Sequence, residues 1–128
     1  MGTAGASHGL VAGNITREVI GAFFDVYNEL GHGFAEGVYQ RALPIALASR
    51  GVGVEREVPL RVLFRGEPVG DYRADLVVEQ RVIVEVKAVE KLVAAHDAQL
   101  LNYLRATGLQ LGLLLNFGPR ATFRRLVR

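Results

Sequence analysis

The sequence predicts an α/β domain in which a mixed sheet is flanked by helices. Three observations predict it. Two segments near the start carry apolar residues at three- and four-residue intervals, three alternating strand-like runs follow, and a further helical segment leads into a run that is apolar on both faces. The predicted order is helix, helix, three-stranded antiparallel meander, crossover helix, parallel strand, edge strand.

Each element has its own signal. Residues 1–13 are small and contain no Lys, Arg, Asp or Glu, so they are expected to form a disordered arm ahead of a single domain spanning 14–128. Asn14 or Thr16 is placed to cap the first helix, whose Ile20, Phe23, Phe24, Tyr27 and Leu30 make an apolar stripe ended by Gly31. After Gly31-His32-Gly33, a turn in which His32 is expected to face solvent, a second helix is expected from about Ala35 to Arg50. It has Tyr39, Leu43 and Leu47 on one stripe and a kink at Pro44. Glu36 falls in its first turn, where the helix dipole favours a carboxylate.

Val54, Val58, Leu60, Val62 and Phe64 alternate as a strand, and Pro59 places it at an edge. Arg65-Gly66-Glu67-Pro68 turns the chain into a hairpin running to Ala88. Tyr72, Ala74, Leu76 and Val78 form one expected apolar row, with Asp71, Arg73, Asp75 and Val77 opposite. In the return strand Val82, Val84 and Val86 alternate with Arg81, Ile83, Glu85 and Lys87. A one-residue slip would flip every side chain of one strand, so the apolar rows fix the register. A three-residue loop, Glu79 to Arg81, then sets Val78 opposite Val82, Leu76 opposite Val84, Asp75 opposite Glu85 and Arg73 opposite Lys87. The loop lacks the glycine such turns favour.

Opposed carboxylates raise each other's proton affinity unless a cation neutralises them. A hard divalent ion such as Mg2+ takes oxygen ligands, keeps waters and leaves positions for phosphate oxygens. Asp75 and Glu85 fit that description. Lys87, on the same face, adds positive charge where a phosphate or an attacking hydroxide would sit. A solvated charged face is the competing reading.

A helix is expected from about Val93 to Ala106, with Leu100, Leu101 and Leu104 inward and Gly108 closing it. Gln99 and Tyr103 share one of its faces, with His96 three residues before Gln99. They either lean over the acidic end of the hairpin or form an ordinary flank. Leu109 to Leu115 suits an interior strand reached by a crossover, hence parallel to the Glu85 strand, and Ala121 to Val127 adds an edge strand.

Composition narrows the chemistry. The chain has 128 residues and no cysteine, which removes disulfides and zinc fingers and leaves oxygen or imidazole to hold any metal. Its formal charge is only +2, but Arg120, Arg124, Arg125 and Arg128 crowd the end. They form either a phosphate-facing rim or a guard on an edge strand. No apolar run approaches ~20 residues, and no charged start precedes a signal-like core. No membrane association and a cytoplasmic location are therefore expected.

The spacing Asp75, nine residues, Glu85, one residue, Lys87 resembles the motif of the PD-(D/E)xK nuclease superfamily, with Ala74 in place of the proline. Gly33-Phe34-Ala35-Glu36-Gly37-Val38-Tyr39 matches the pattern of the GxxExxY proteins, a bacterial group assigned to that superfamily. Tyr72 to Asp75, Val84 to Lys91 and Gln99 to Gly108 are similar to its further blocks, so the likeness runs from about Ile15 to the end. The resemblance implies a restriction-endonuclease-like core. It implies that Glu36, Asp75, Glu85 and the carbonyl of Val86 hold Mg2+ or Mn2+, that Lys87 is the catalytic lysine, and that Gln99 and Tyr103 support the site and contact DNA. The implied reaction is hydrolysis of phosphodiester bonds, in DNA before RNA. Cutting both strands would need a homodimer or two events. The alternatives are a catalytically silent nucleic-acid-binding or protein-interaction module on the same fold, and a structural subunit of a repair or defence assembly.

Overall fold

A computed structural model describes residues 11–128. It orders them as α1 (Ala12–Leu30), α2 (Glu36–Ser49), β1 (Val54–Phe64), β2 (Glu67–Val78), β3 (Val82–Lys87), α3 (Ala94–Thr107), β4 (Leu111–Phe117) and β5 (Ala121–Val127). The strands form one sheet in the order β1-β2-β3-β4-β5. All neighbours are antiparallel except β3 and β4, which run parallel. The element order expected from the sequence is the observed one.

Two apolar layers sandwich the sheet. Ile15, Val19, Phe23, Tyr39, Leu43 and Leu47 from α1 and α2 pack with Leu76, Val84, Val86 and Leu113 on one face. Leu100, Tyr103 and Leu104 from α3 pack with Val77, Ile83 and Leu114 on the other. Buried from both sides, β3 and β4 carry nearly continuous apolar runs, as interior parallel strands do. Gly108 ends α3 at φ 77°, the left-handed conformation glycine adopts without strain.

Several local expectations are corrected. The expected arm lies outside the described residues as far as position 10, and Ala12 and Gly13 already belong to α1. Neither Asn14 nor Thr16 caps that helix; Val11 precedes it, and the Thr16 hydroxyl donates back to the Ala12 carbonyl at 3.0 Å. Its buried face is Ile15, Val19, Ala22, Phe23 and Val26, which leaves Phe24 and Leu30 exposed. The aromatic residues had drawn the expected stripe too far around the helix.

The apolar row of β2 is also not one row. Leu76 and Val78 face α1 and α2, whereas Ala74 faces α3. The row crosses the sheet at Asp75, and on β1 the same crossing separates Val54 from Val58. Glu57 sits at that point with φ +50°, and it forms no register pair with Asp75 between the Arg56–Leu76 and Val58–Ala74 pairs. A left-handed residue there redirects the alternation.

Two of the four terminal arginines are tied into the fold, and Arg120 and Arg125 are exposed. Arg124 donates to Asp97 at 2.6 Å, and Arg128 donates to the carbonyls of Leu109 and Gly108 at 3.1 and 2.9 Å. Both fasten the edge strand to α3 and its exit. On the opposite face, Arg50 spans Glu18 at 3.1 Å and Asp25 at 2.9 Å, its guanidinium lying where a side chain on Gly21 would sit.

Tyr39 joins three elements. Its ring stacks on Phe117 with centroids 4.3 Å apart, and its hydroxyl donates to the Gly31 carbonyl at 2.7 Å and accepts the Phe34 N–H at 3.3 Å. The tyrosine of the GxxExxY string is thus a fully buried core residue. Tyr39→Phe should lower stability by about 1 kcal/mol in equilibrium urea unfolding, and Tyr39→Ala by about 3–5 kcal/mol. An unchanged midpoint for the alanine variant would remove the ring from the core.

Candidate active site

The acidic hairpin is built by interrupting a ladder. β2 and β3 pair through Val78–Val82, Val77–Ile83 and Leu76–Val84, the register the apolar rows dictate, and the ladder stops there. At the next position the carboxylates take over. The Asp75 N–H donates to Glu85 Oε2 at 2.8 Å, and the Val86 N–H donates to Asp75 Oδ2 at 2.8 Å. Each acid thereby accepts from the other strand's backbone. The expected Arg73–Lys87 pair does not form: Arg73 pairs with Pro59 on β1, and its guanidinium lies 3.8 Å from Glu57.

Two helices complete the site from opposite faces. Glu36 projects from the first turn of α2, and Gln40, one turn on, donates to Glu36 Oε2 and Asp75 Oδ1, each at 3.1 Å. From α3, Gln99 accepts a hydrogen bond from Lys87 Nζ at 3.2 Å. Tyr103 is buried, and its phenol is pushed above the ordinary range by burial and then by the charges of Glu85 and Asp75. Glu36, Asp75, Glu85, Val86, Lys87, Gln99 and Tyr103 therefore gather at one end of the sheet. His96 Nδ1 accepts the Val93 N–H at 3.0 Å and caps its own helix. His32 is exposed in the turn after α1.

Burial dominates the electrostatics. Glu85 is 3% exposed, and burial, reinforced by the charge of Asp75, pushes its carboxyl up to about 8. Burial also raises Asp75, against hydrogen bonds from the Val86 N–H and Gln40 and the charge of Lys87. Glu36 is raised by burial, with Lys87 opposing and Asp75 adding. Lys87 is the cation that acts on all three acids.

Such a donor set, hard oxygens whose negative charges repel in a poorly solvated place, suits Mg2+ or Mn2+. Among the described residues no three acids or imidazoles stand together at metal-ligating spacing. The amide of Gln40 lies between Glu36 and Asp75 and bridges them.

Three residues were missed in the sequence. Gln40 carried a signal, since it stands four residues after Glu36 and so on the same helix face. Asn116, 1% exposed, pairs with Lys87 across the parallel ladder. Its side chain accepts the Val89 N–H and donates to the Val89 carbonyl, both at 3.0 Å, fixing the chain as it leaves β3. Its signal was a lone amide continuing an apolar run. Glu57, whose charge adds to the proton affinity of Asp75, had none.

A profile of the PD-(D/E)XK nuclease superfamily matches residues 13–126. The chain belongs to that superfamily, and its mixed sheet between helices is the restriction-endonuclease-like arrangement. Among solved structures it is similar to SSO0001, with a TM-score of 0.59 and 19% identity over 73% of this chain and 50% of that one. This chain thus spans about half the length of that protein, and the likeness is one of fold. No curated protein matches.

The raised carboxyls set a pH dependence for the metal-free protein. Glu85 binds its proton more tightly folded than unfolded, so its contribution is full below the ordinary value of 4.5 and is lost as pH rises toward about 8. In EDTA, the melting temperature should fall through that window. Glu85→Gln keeps an oxygen for the Asp75 N–H and should flatten the slope. Equal slopes in parent and variant would place the pH dependence elsewhere.

Proposed function

We propose that the chain is a metal-dependent nuclease of the GxxExxY type that hydrolyses phosphodiester bonds, DNA being its favoured substrate. The observation that carries this reading is the convergence of Glu36, Asp75, Glu85 and Lys87 from three elements where the β2–β3 ladder is broken. Membership of a nuclease superfamily supports it, as does a donor set made only of hard oxygens.

Glu36, Asp75, Glu85 and the Val86 carbonyl would hold Mg2+ or Mn2+. Bound there, the ion would supply an acidified water and neutralise charge on the scissile phosphate. Lys87, oriented by Gln99, presents its ammonium beside the acids, where it stabilises the oxygens of the pentavalent phosphorus or orients the attacking water. Tyr103, its proton held more firmly than usual, remains a hydroxyl donor at neutral pH. One site cuts one strand, so a double-strand product requires a homodimer or two events. A cytoplasmic location fits this reading, and among the described residues no helix is long and apolar enough to cross a membrane.

A second reading has one observation in its favour. With Gln40 bridging Glu36 and Asp75, the acids are already satisfied in part by an amide, as they would be in a catalytically silent nucleic-acid-binding module.

Thermal unfolding in EDTA, Mg2+ and Mn2+ separates the two. The nuclease should melt higher with either ion, and Glu85→Ala should lose that response, because a ligand bound only by the folded state stabilises it. Cleavage of single-stranded, branched and duplex DNA should then depend on the ion and fall about 100-fold or more in Lys87→Ala. If millimolar metal leaves the parent unmoved and no DNA is cut, the binding module is the correct reading.

A further inference from the structure

We propose that the groove between α3 and the outer half of the β1–β2 hairpin receives an unpaired DNA strand, one of whose bases stacks on Tyr72. The proposal rests on the nuclease reading and names the form of its substrate. The groove has a volume of about 930 Å3 and includes Arg61, Tyr72, Gln99, Asn102, Tyr103 and Arg105 in its walls. Among the described residues no Asp or Glu lines it.

Its aromatic floor is built to stay flat. Tyr72 is 50% exposed on β2, where water is a poor neighbour for a phenyl ring. A side chain on Gly70 would come within 2.9 Å of the Tyr72 ring, so the glycine lets that ring lie down across its own strand. Tyr103 braces it from α3, with ring centroids 5.9 Å apart and planes at 48°. A ring already held on two sides loses little freedom when a base stacks on its open face.

Two guanidiniums face a nucleic-acid backbone from this groove, that of Arg61 as half of an ion pair with Asp71. The Arg61 Nε donates to Asp71 at 3.1 Å and Arg105 Nη1 donates to Asn102 at 3.1 Å, which orients both guanidiniums and leaves other N–H groups for phosphate oxygens. Gln99 links the groove to the acids, since it stands in the groove wall and accepts from Lys87. A strand following the wall brings a phosphate to Lys87. In a duplex the faces of internal bases are covered by their neighbours, so an aromatic platform selects an unpaired base.

The test is fluorescence anisotropy in EDTA, where no cleavage occurs, with a labelled single strand of about 12 nucleotides, within the range one such surface covers. The protein should bind it more tightly than a blunt duplex of the same sequence. Tyr72→Ala should weaken binding about 10-fold or more, Tyr72→Phe should restore it, and an abasic strand should not respond to either substitution. Unchanged melting of the two variants shows that the half-exposed residue acts on the ligand and not on the fold. A Tyr72→Ala affinity equal to that of the parent, equal binding of the duplex, tighter binding of the same sequence as RNA, or no binding at all would overturn the proposal. Metal-dependent cleavage combined with Tyr72-independent binding would overturn the groove and leave the nuclease. Tyr72-dependent binding with no cleavage in any ion would uphold the groove and remove the nuclease.

Discussion

The structure depends on one exchange: where the β2–β3 ladder stops, the Asp75 and Val86 N–H groups are given across the strands to the carboxylates of Glu85 and Asp75. Breaking a ladder in the interior of a sheet leaves polar groups that must be satisfied, and the acids satisfy them. Their own charges are then held in a place with little water. A hydrogen bond to a charged acceptor contributes about 1.5–3 kcal/mol, whereas burying a charge without a full partner costs several kcal/mol. Protonation of Glu85, whose carboxyl is pushed up to about 8, relieves part of that cost.

The register of this hairpin was legible because strand alternation has a period of two and β3 must be buried. Its turn was less so. Glu79 and Gln80 take φ of 52° and 58° without being glycine. They are held there because the Glu79 N–H donates to the Gly53 carbonyl at 2.9 Å and the Glu79 carboxylate accepts the Gly53 N–H at 2.6 Å. Tertiary tethering overrode local preference, and nothing within the turn announces a tether to a residue before β1.

The convergence of the site was legible only in part. Periodicity placed Asp75 and Glu85 together, since they lie on paired strands. It could not bring in Glu36, which the family resemblance supplied, and it left Gln99 open between leaning over the hairpin and an ordinary helix flank; the two reach the acids from helices packed on opposite faces. The crossing of the apolar row at Asp75 was hidden for a different reason. It needs a left-handed Glu57 on the neighbouring strand, and glutamate carries no preference for that conformation. Asn116 escaped because a single amide beside an apolar run resembles a strand end, although it is buried and holds the segment that follows Lys87.

Arg50, straddling Gly21 between Glu18 and Asp25, ties α2 back to α1 over a stretch of chain comparable with the step from Val82 to Leu111 that pairs β3 with β4. Closing either span carries a similar entropic cost, so chain length alone favours neither. Before these spans close, Glu36 is not held beside Asp75 and Glu85, and the burial that raises the proton affinity of all three acids is absent. A partly unfolded chain would therefore carry the same three acids without the raised proton affinities that the folded protein gives them.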